Sequence, residues 1–206
     1  MATLGVLLAG GRGERMGVSQ PKALARCAGT TLLARALATL SEVCDTVVVV
    51  APAEMELPIG DALRVNDPPG AAGPLAGLVA GLAARPCDEA LVLAVDLPLV
   101  TASLLVALRR RRGHADAIVP APGGIPQPLA AWYGLAALAP LTHALAAGER
   151  SVTRVVLALS PVLIDDATLA TLPGGLQAWL NVNTPAALAA AERVVLACAQ
   201  PGSEES

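Results

Sequence analysis

Lys22 is the only lysine among 206 residues, in a chain that carries thirteen arginines. It follows the stretch Leu8-Ala9-Gly10-Gly11-Arg12-Gly13-Glu14-Arg15-Met16-Gly17, dense in glycine and arginine. Glycine accepts φ > 0 and lets backbone N–H groups approach a phosphate with no Cβ in the way. A compact ammonium sits between neighbouring phosphates as a point charge, a task for which the planar arginine fork is less suited. Surface lysines are otherwise missing, so phosphate binding is a better reading of Lys22 than a solvated surface position. Two familiar phosphate loops fail on specific residues. A Walker A loop needs a Gly-Lys pair, and there is none. A dinucleotide fingerprint needs a third glycine where Met16 stands, and an acid after the second strand, where the chain reads Val50-Ala51-Pro52.

Other side chains fall at similar positions. Asp96 ends an apolar run and stands five residues before Thr101, too early to cap a helix starting there. A carboxylate at a strand end faces the crevice and suits Mg²⁺, which takes one or two carboxylates plus phosphate oxygens. Asp67, in Asp-Pro-Pro-Gly, either contacts a nucleotide or shapes an Asx-turn. Asn181 and Asn183 are two of only three asparagines. Their amides either bracket a polar ligand or cap the helix at Pro185, although Thr184 is itself a good cap. Gly77 allows close approach of a helix to a ligand or to its packing partner.

The elements that must position these groups alternate. Runs at 4–8, 46–50, 62–66, 90–95 and 117–120 read as strands, several without polar alternation, as strands buried on both faces should. Helical patterns cover 30–43, 75–84 and 102–112. After Gly123-Gly124 the rhythm changes: a strand over 127–133, helices near 135–147 and 152–159, a short strand at 162–164 and a closing helix at 185–199. This order predicts a three-layer α/β/α arrangement around a mostly parallel, partly mixed sheet. Residues 1–199 read as one domain and 200–206 as a polar, frayed tail. Ligands of such sheets bind beyond the carboxyl ends of the strands, where the singled-out residues fall.

Composition narrows the classes. A hydrophobic content of 54% with 15% charged residues is far from disorder. A net charge of −3 offers no field for nucleic acid, and the basic run 109–112 reads as a solvated helix end. The mean hydropathy of +0.60 raises the question of a membrane span. The uncharged stretch 128–147 is long enough but carries Pro128, Gly134, Pro140, Thr142 and His143, and reads as strand plus helix. Four cysteines without CxxC spacing point to reduced thiols rather than zinc or a redox pair. No secretory signal is legible, so a cytoplasmic location is expected. With no Phe, one Tyr and two Trp, only Trp132, Tyr133 and Trp179 are available to stack on a heterocycle.

The set Leu8-Ala9-Gly10-Gly11, Arg15-Met16-Gly17 and Pro21-Lys22 resembles the signature of nucleotidyltransferases with a Rossmann-like, glycosyltransferase-A-type fold. Three further segments resemble molybdenum cofactor guanylyltransferases: Asp67 through Gly73-Pro74-Leu75-Ala76-Gly77, Asp96-Leu97-Pro98, and Asn181-Val182-Asn183-Thr184-Pro185. Gly148-Glu149-Arg150 also matches a turn before a late family helix. The likeness runs from about Gly5 to about Arg193. It implies transfer of GMP from GTP to Mo-molybdopterin with release of pyrophosphate, and transient contact with other molybdenum cofactor proteins. It further implies Arg15, Lys22 and Asp96 as catalytic residues, and Mg²⁺ on Asp96. GTP would meet Leu8, Ala9, Gly10, Gly11, Gly13, Lys22, Asp67 and Asp96, and the pterin acceptor Asn181 and Asn183. The expected acceptor is already an anion, so no general base is needed, and His114 and His143 are given no chemistry. Family members commonly carry Asn where Ala51-Pro52 stand here, and the Pro21-Lys22 pair is shared with cytidylyltransferases. A cytidylyl- or sugar-phosphate nucleotidyltransferase is the alternative enzyme, and a nucleotide-binding module without activity the non-enzyme alternative.

Overall fold

Strand β1 (Thr3–Leu8) lies at the middle of a seven-stranded sheet ordered β5-β4-β1-β6-β8-β7-β9. The computed structural model describes residues 1–11, 13, 20–66, 73–111, 113 and 115–199. Parallel to β1 run β4 (Thr46–Ala51) and β6 (Glu89–Ala94), with β5 (Leu63–Asn66) parallel to β4 at one edge. Beyond β6 lies β8 (Ala130–Gly134), antiparallel to both β6 and β7 (Ala117–Pro120). β9 (Val162–Ile164) closes the far edge parallel to β7. Two-residue strands β2 (Arg26–Cys27) and β3 (Thr30–Thr31) form a separate hairpin. The sheet is therefore parallel on one side and mixed on the other, as the alternation of elements predicts.

Strand side chains alternate between two cores. Leu7, Val49, Leu93 and Trp132 point to one face, packed by α1 (Leu32–Ser41), α3 (Ala102–Arg109) and α7 (Pro185–Ala199). Val6, Val48, Val92 and Tyr133 point to the other, under α2 (Pro74–Leu82), α4 (Leu138–Ala146) and α5 (Val152–Ala158). Both faces being covered explains the continuous apolar runs of the central strands. At Gly81 a Cβ would collide with Val6 Cγ1, so α2 can lie this close to β1 only because the residue is glycine.

Several boundaries differ from the sequence expectation. The helix expected from residue 30 starts at Leu32, because Thr30 and Thr31 pair in the hairpin and the Thr31 hydroxyl caps the helix through the Ala34 N–H at 3.1 Å. The strand expected over 127–133 begins only at Ala130. Its first residues, Gln127 to Leu129, instead form a wall beside the site. Residues 135–147 open as a 3₁₀ turn before α4. The short helix α6 (Asp166–Leu169) and a 3₁₀ turn at Gly175–Trp179 have too few residues to show periodicity. Arg112 and His114 lie outside the described residues, as do 200–206. No helix among the described residues is long and apolar enough to cross a membrane; 128–147 is strand and helix, as expected.

Candidate active site at the carboxyl ends of the central strands

Register brings three strand ends together. Leu8 is level with Val50 of β4 and Ala94 of β6. The Ala9 N–H donates to Val50 O at 2.9 Å, and the Val95 N–H donates to Leu8 O at 3.1 Å. Asp96 thus emerges directly beside the glycine loop. The Ala9 N–H is thus bonded within the sheet, while Gly10 and Gly11 line the cleft beyond it. Gly13 has φ +73°, the left-handed region that favours glycine. Arg15 and Asp67 lie outside the described residues.

Lys22 opens a one-turn 3₁₀ helix, Lys22–Leu24, behind Pro21. Its backbone N–H donates to Gly11 O at 3.1 Å, tying the turn to the loop. Its side chain is buried, and the ammonium donates to Asp96 Oδ2 at 2.7 Å and to Asn183 Oδ1 at 2.5 Å. The Asn181 amide, oriented with its nitrogen towards Asp96, donates to both carboxylate oxygens at 3.0 and 3.1 Å. The Val182 N–H donates to Asp96 O at 2.9 Å, which fixes the Asn181–Asn183 segment against the strand end. Three segments far apart in sequence therefore meet in one polar cluster of four side chains. A charge pair this poorly hydrated is tolerable because each partner is also hydrogen-bonded, and losing one partner would strand the other. The asparagine amides do not cap the following helix: they hold the Lys22–Asp96 pair, and the cap is the Thr184 hydroxyl, which accepts from the Ala187 N–H at 3.2 Å.

Two clefts meet at Asp96. The first, about 330 Å³, is lined by Leu8, Gly10, Lys22, Val50, Gly77 and Asp96 among others. Gly77 thus faces the cleft, while Gly81 one turn on makes the tight helix–strand contact. The second, about 410 Å³, runs from Asp96 and Asn181 to Gln127, Arg150 and Thr153. Pro74, Ala94, Asp96 and Leu129 border both. Sequence reasoning gave no role to Gln127 or Arg150, although the quoted Gly-Glu-Arg turn and the Pro-Gln-Pro triplet could have flagged them. Glu149 accepts from the backbone N–H groups of Arg150 and Ser151 at 2.7 and 2.8 Å and from Arg154 at 2.8 Å. The Ser151 and Arg150 amides, helped by Arg154, hold the Glu149 carboxyl below the usual range. That carboxylate is spent on its own turn, and the Arg150 side chain is left facing the cleft.

The aromatics do not serve the clefts by stacking. Trp132 and Tyr133 are fully buried, donating to Leu105 O at 2.9 Å and to Pro128 O at 2.6 Å. Trp179 is buried among the apolar side chains under the sheet. The cysteines are all free thiols, and burial pushes Cys44 up to about 12.

An open, mostly parallel sheet with a glycine loop after β1, a buried lysine and an aspartate at the β6 end defines a nucleotidyltransferase of the Rossmann-like class. The sequence matches the family described as the MobA-like NTP transferase domain over residues 5–162, and the chain belongs to that family. A probable molybdenum cofactor guanylyltransferase of Chloroflexus aggregans is 36% identical over 190 residues, covering 90% of this chain and 91% of the relative. Among solved structures, molybdopterin-guanine dinucleotide biosynthesis protein A from Archaeoglobus fulgidus superposes with a TM-score of 0.80 at 26% identity, over 94% of this chain and 99% of that one. A 2-C-methyl-D-erythritol 4-phosphate cytidylyltransferase from Thermus thermophilus, at 22% identity, TM-score 0.73 and coverage of 95% and 100%, shares the fold.

Proposed function

We propose that this chain is a molybdenum cofactor guanylyltransferase, moving GMP from GTP to Mo-molybdopterin. The observation that carries this is the Lys22–Asp96 pair at the seam between two clefts, in a chain 36% identical to a protein so named. One cleft takes the nucleotide and the other the acceptor. An oxygen of the acceptor's terminal phosphate attacks the α-phosphorus of GTP in line. The bond from the α-phosphorus to the α–β bridging oxygen breaks, pyrophosphate leaves, and a phosphoanhydride joins the two halves of the product. Such a transfer leaves the protein mainly positioning and charge neutralisation to perform.

Each residue has a task within that scheme. The backbone amides of Gly10, Gly11 and Gly13 receive the β- and γ-phosphates. Lys22 exchanges its bond to Asp96 for phosphate oxygens and offsets their charge, with Arg15 as a second cation. Leu8 and Val50 supply an apolar wall for the base, and Asp67 a contact to the nucleotide. Asn181 and Asn183 hold Asp96 and Lys22 in place and, once Lys22 turns to phosphate, offer their amides to the acceptor. The nucleophile is already anionic, so no general base is required.

Mg²⁺ fits Asp96. The carboxylate is an oxygen donor that opens on both clefts, with its side chain 20% exposed. No cluster of three potential metal-ligating side chains exists among the described residues, so phosphate oxygens and water would complete the shell. When bound, the ion supplies Lewis-acid charge to the triphosphate. Pyrophosphate release measured with GTP or CTP, Mg²⁺ and Mo-molybdopterin tests the assignment. GTP is expected to support transfer; turnover with CTP alone overturns the base assignment, and no turnover with either overturns the activity.

A further inference from the structure

The wall of the acceptor cleft holds a polar side chain whose bonding capacity is unused. Gln127 stands between Pro126 and Pro128. Its backbone is clamped: the N–H donates to Pro120 O at 2.8 Å, and its carbonyl accepts from the Ala130 N–H at 3.0 Å. Two flanking prolines fix the neighbouring φ angles. From behind, the buried Tyr133 hydroxyl donates to Pro128 O at 2.6 Å, bracing the triplet against the core. The Gln127 side-chain amide itself makes no hydrogen bond among the described residues, and it lines the cleft with Asp96, Asn181 and Arg150. A rigid backbone carrying an unspent amide loses little freedom when that amide binds.

A primary amide presents one acceptor and two donors side by side. It is complementary to a ring edge with a carbonyl next to an N–H, such as the 2-amino-4-oxo edge of a pterin. With no aromatic side chain in the cleft, recognition of such a ring falls to its polar edge, while Pro126, Pro128 and Leu129 cover its faces. We propose that Gln127 is a specificity-determining residue of this enzyme, pairing with the amide edge of the acceptor's heterocycle from the segment that Tyr133 braces. This rests on the acceptor reading above and adds to it the group that distinguishes a pterin from other phosphorylated compounds. Guanine carries the same edge, so the test must separate the two sources.

Gln127→Met keeps the side-chain length and removes the amide. The full chain is assayed three ways: steady-state transfer to Mo-molybdopterin, fluorescence titration with neopterin monophosphate as a phosphorylated pterin probe, and calorimetric titration with GTP. The acceptor KM and the pterin dissociation constant are expected to rise about tenfold, as for one or two lost neutral hydrogen bonds. GTP affinity and melting temperature should remain at wild-type values. Unchanged pterin affinity in Gln127→Met overturns the assignment, and so does an equal loss of GTP affinity, which would place guanine at Gln127. If the wild-type protein binds GTP but neither binds nor guanylylates a pterin, the acceptor reading itself fails.

Discussion

The two sides of Asp96 are prepared in opposite ways. Toward the proposed nucleotide cleft the charged side chains are already spent: Lys22 holds Asp96 and Asn183, and Asn181 steadies Asp96 from the other cleft. Along the far wall of the proposed acceptor cleft the backbone is tied and the side chains are open: Gln127 sits on a clamped triplet, and Arg150 follows a glutamate that has satisfied its own turn. A closed cluster keeps a buried cation in position without a ligand, but a ligand must replace its bonds one for one. An open wall needs no exchange, so what it binds depends on which side chains the backbone presents. The first arrangement suits a triphosphate whose charge is constant, and the second suits a substrate that must be told from its analogues.

The strongest way to break this contrast is within the cluster. Lys22→Ala and Asp96→Ala should each lower pyrophosphate release by at least a hundredfold, in the range for losing one preorganised electrostatic group. Removing either partner also leaves the other buried alone, so circular dichroism must first show the fold intact. Wild-type turnover in either folded variant would put the chemistry elsewhere. On the other side, Arg150→Ala should raise the acceptor KM roughly ten- to a hundredfold and leave GTP binding intact, since a charge-assisted bond is worth more than a neutral one. A loss of GTP affinity instead would merge the two clefts into one site.

A smaller effect tests the brace. Tyr133→Phe should cost about 1 kcal/mol of stability, read as a lower midpoint of denaturant unfolding, by deleting a buried hydrogen bond. It should also weaken the acceptor more than GTP. The smallest effect is Glu149. Its pKa is lowered in the fold, so its contribution is present above the ordinary glutamate pKa and is lost as pH falls through the lowered value. NMR titration should find Glu149 protonating below a free glutamate, and Glu149→Gln should remove that part of the acid sensitivity.

What the sequence made legible follows from the same contrast. β1, β4 and β6 are visible as unbroken apolar runs because both faces are covered, and Asp96 at a strand end follows from them. Lys22 stands out by scarcity. Its bond to Asn183, 161 residues away, has no local signature, because only the closing of the fold brings the two segments together. The start of β8 was expected three residues early; Gln127 to Leu129 instead enter a turn closed by the Ala130 N–H on Gln127 O, and they wall the cleft. Only three rings were available to stack on a heterocycle, and all three are buried in the core; that burial, which depends on packing, was not legible from their scarcity.

β8 is the one strand of this sheet that runs against both its neighbours. The chain therefore enters it at the end of the sheet where Asp96 lies, and residues 121–129 form a detour whose two ends are fixed by the sheet. A longer or shorter detour would reshape the acceptor wall while β1, β4 and β6 kept their register. On the proposed reading, a change in the length of this one segment would alter which acceptor fits while the strands that position Lys22 and Asp96 stayed where they are.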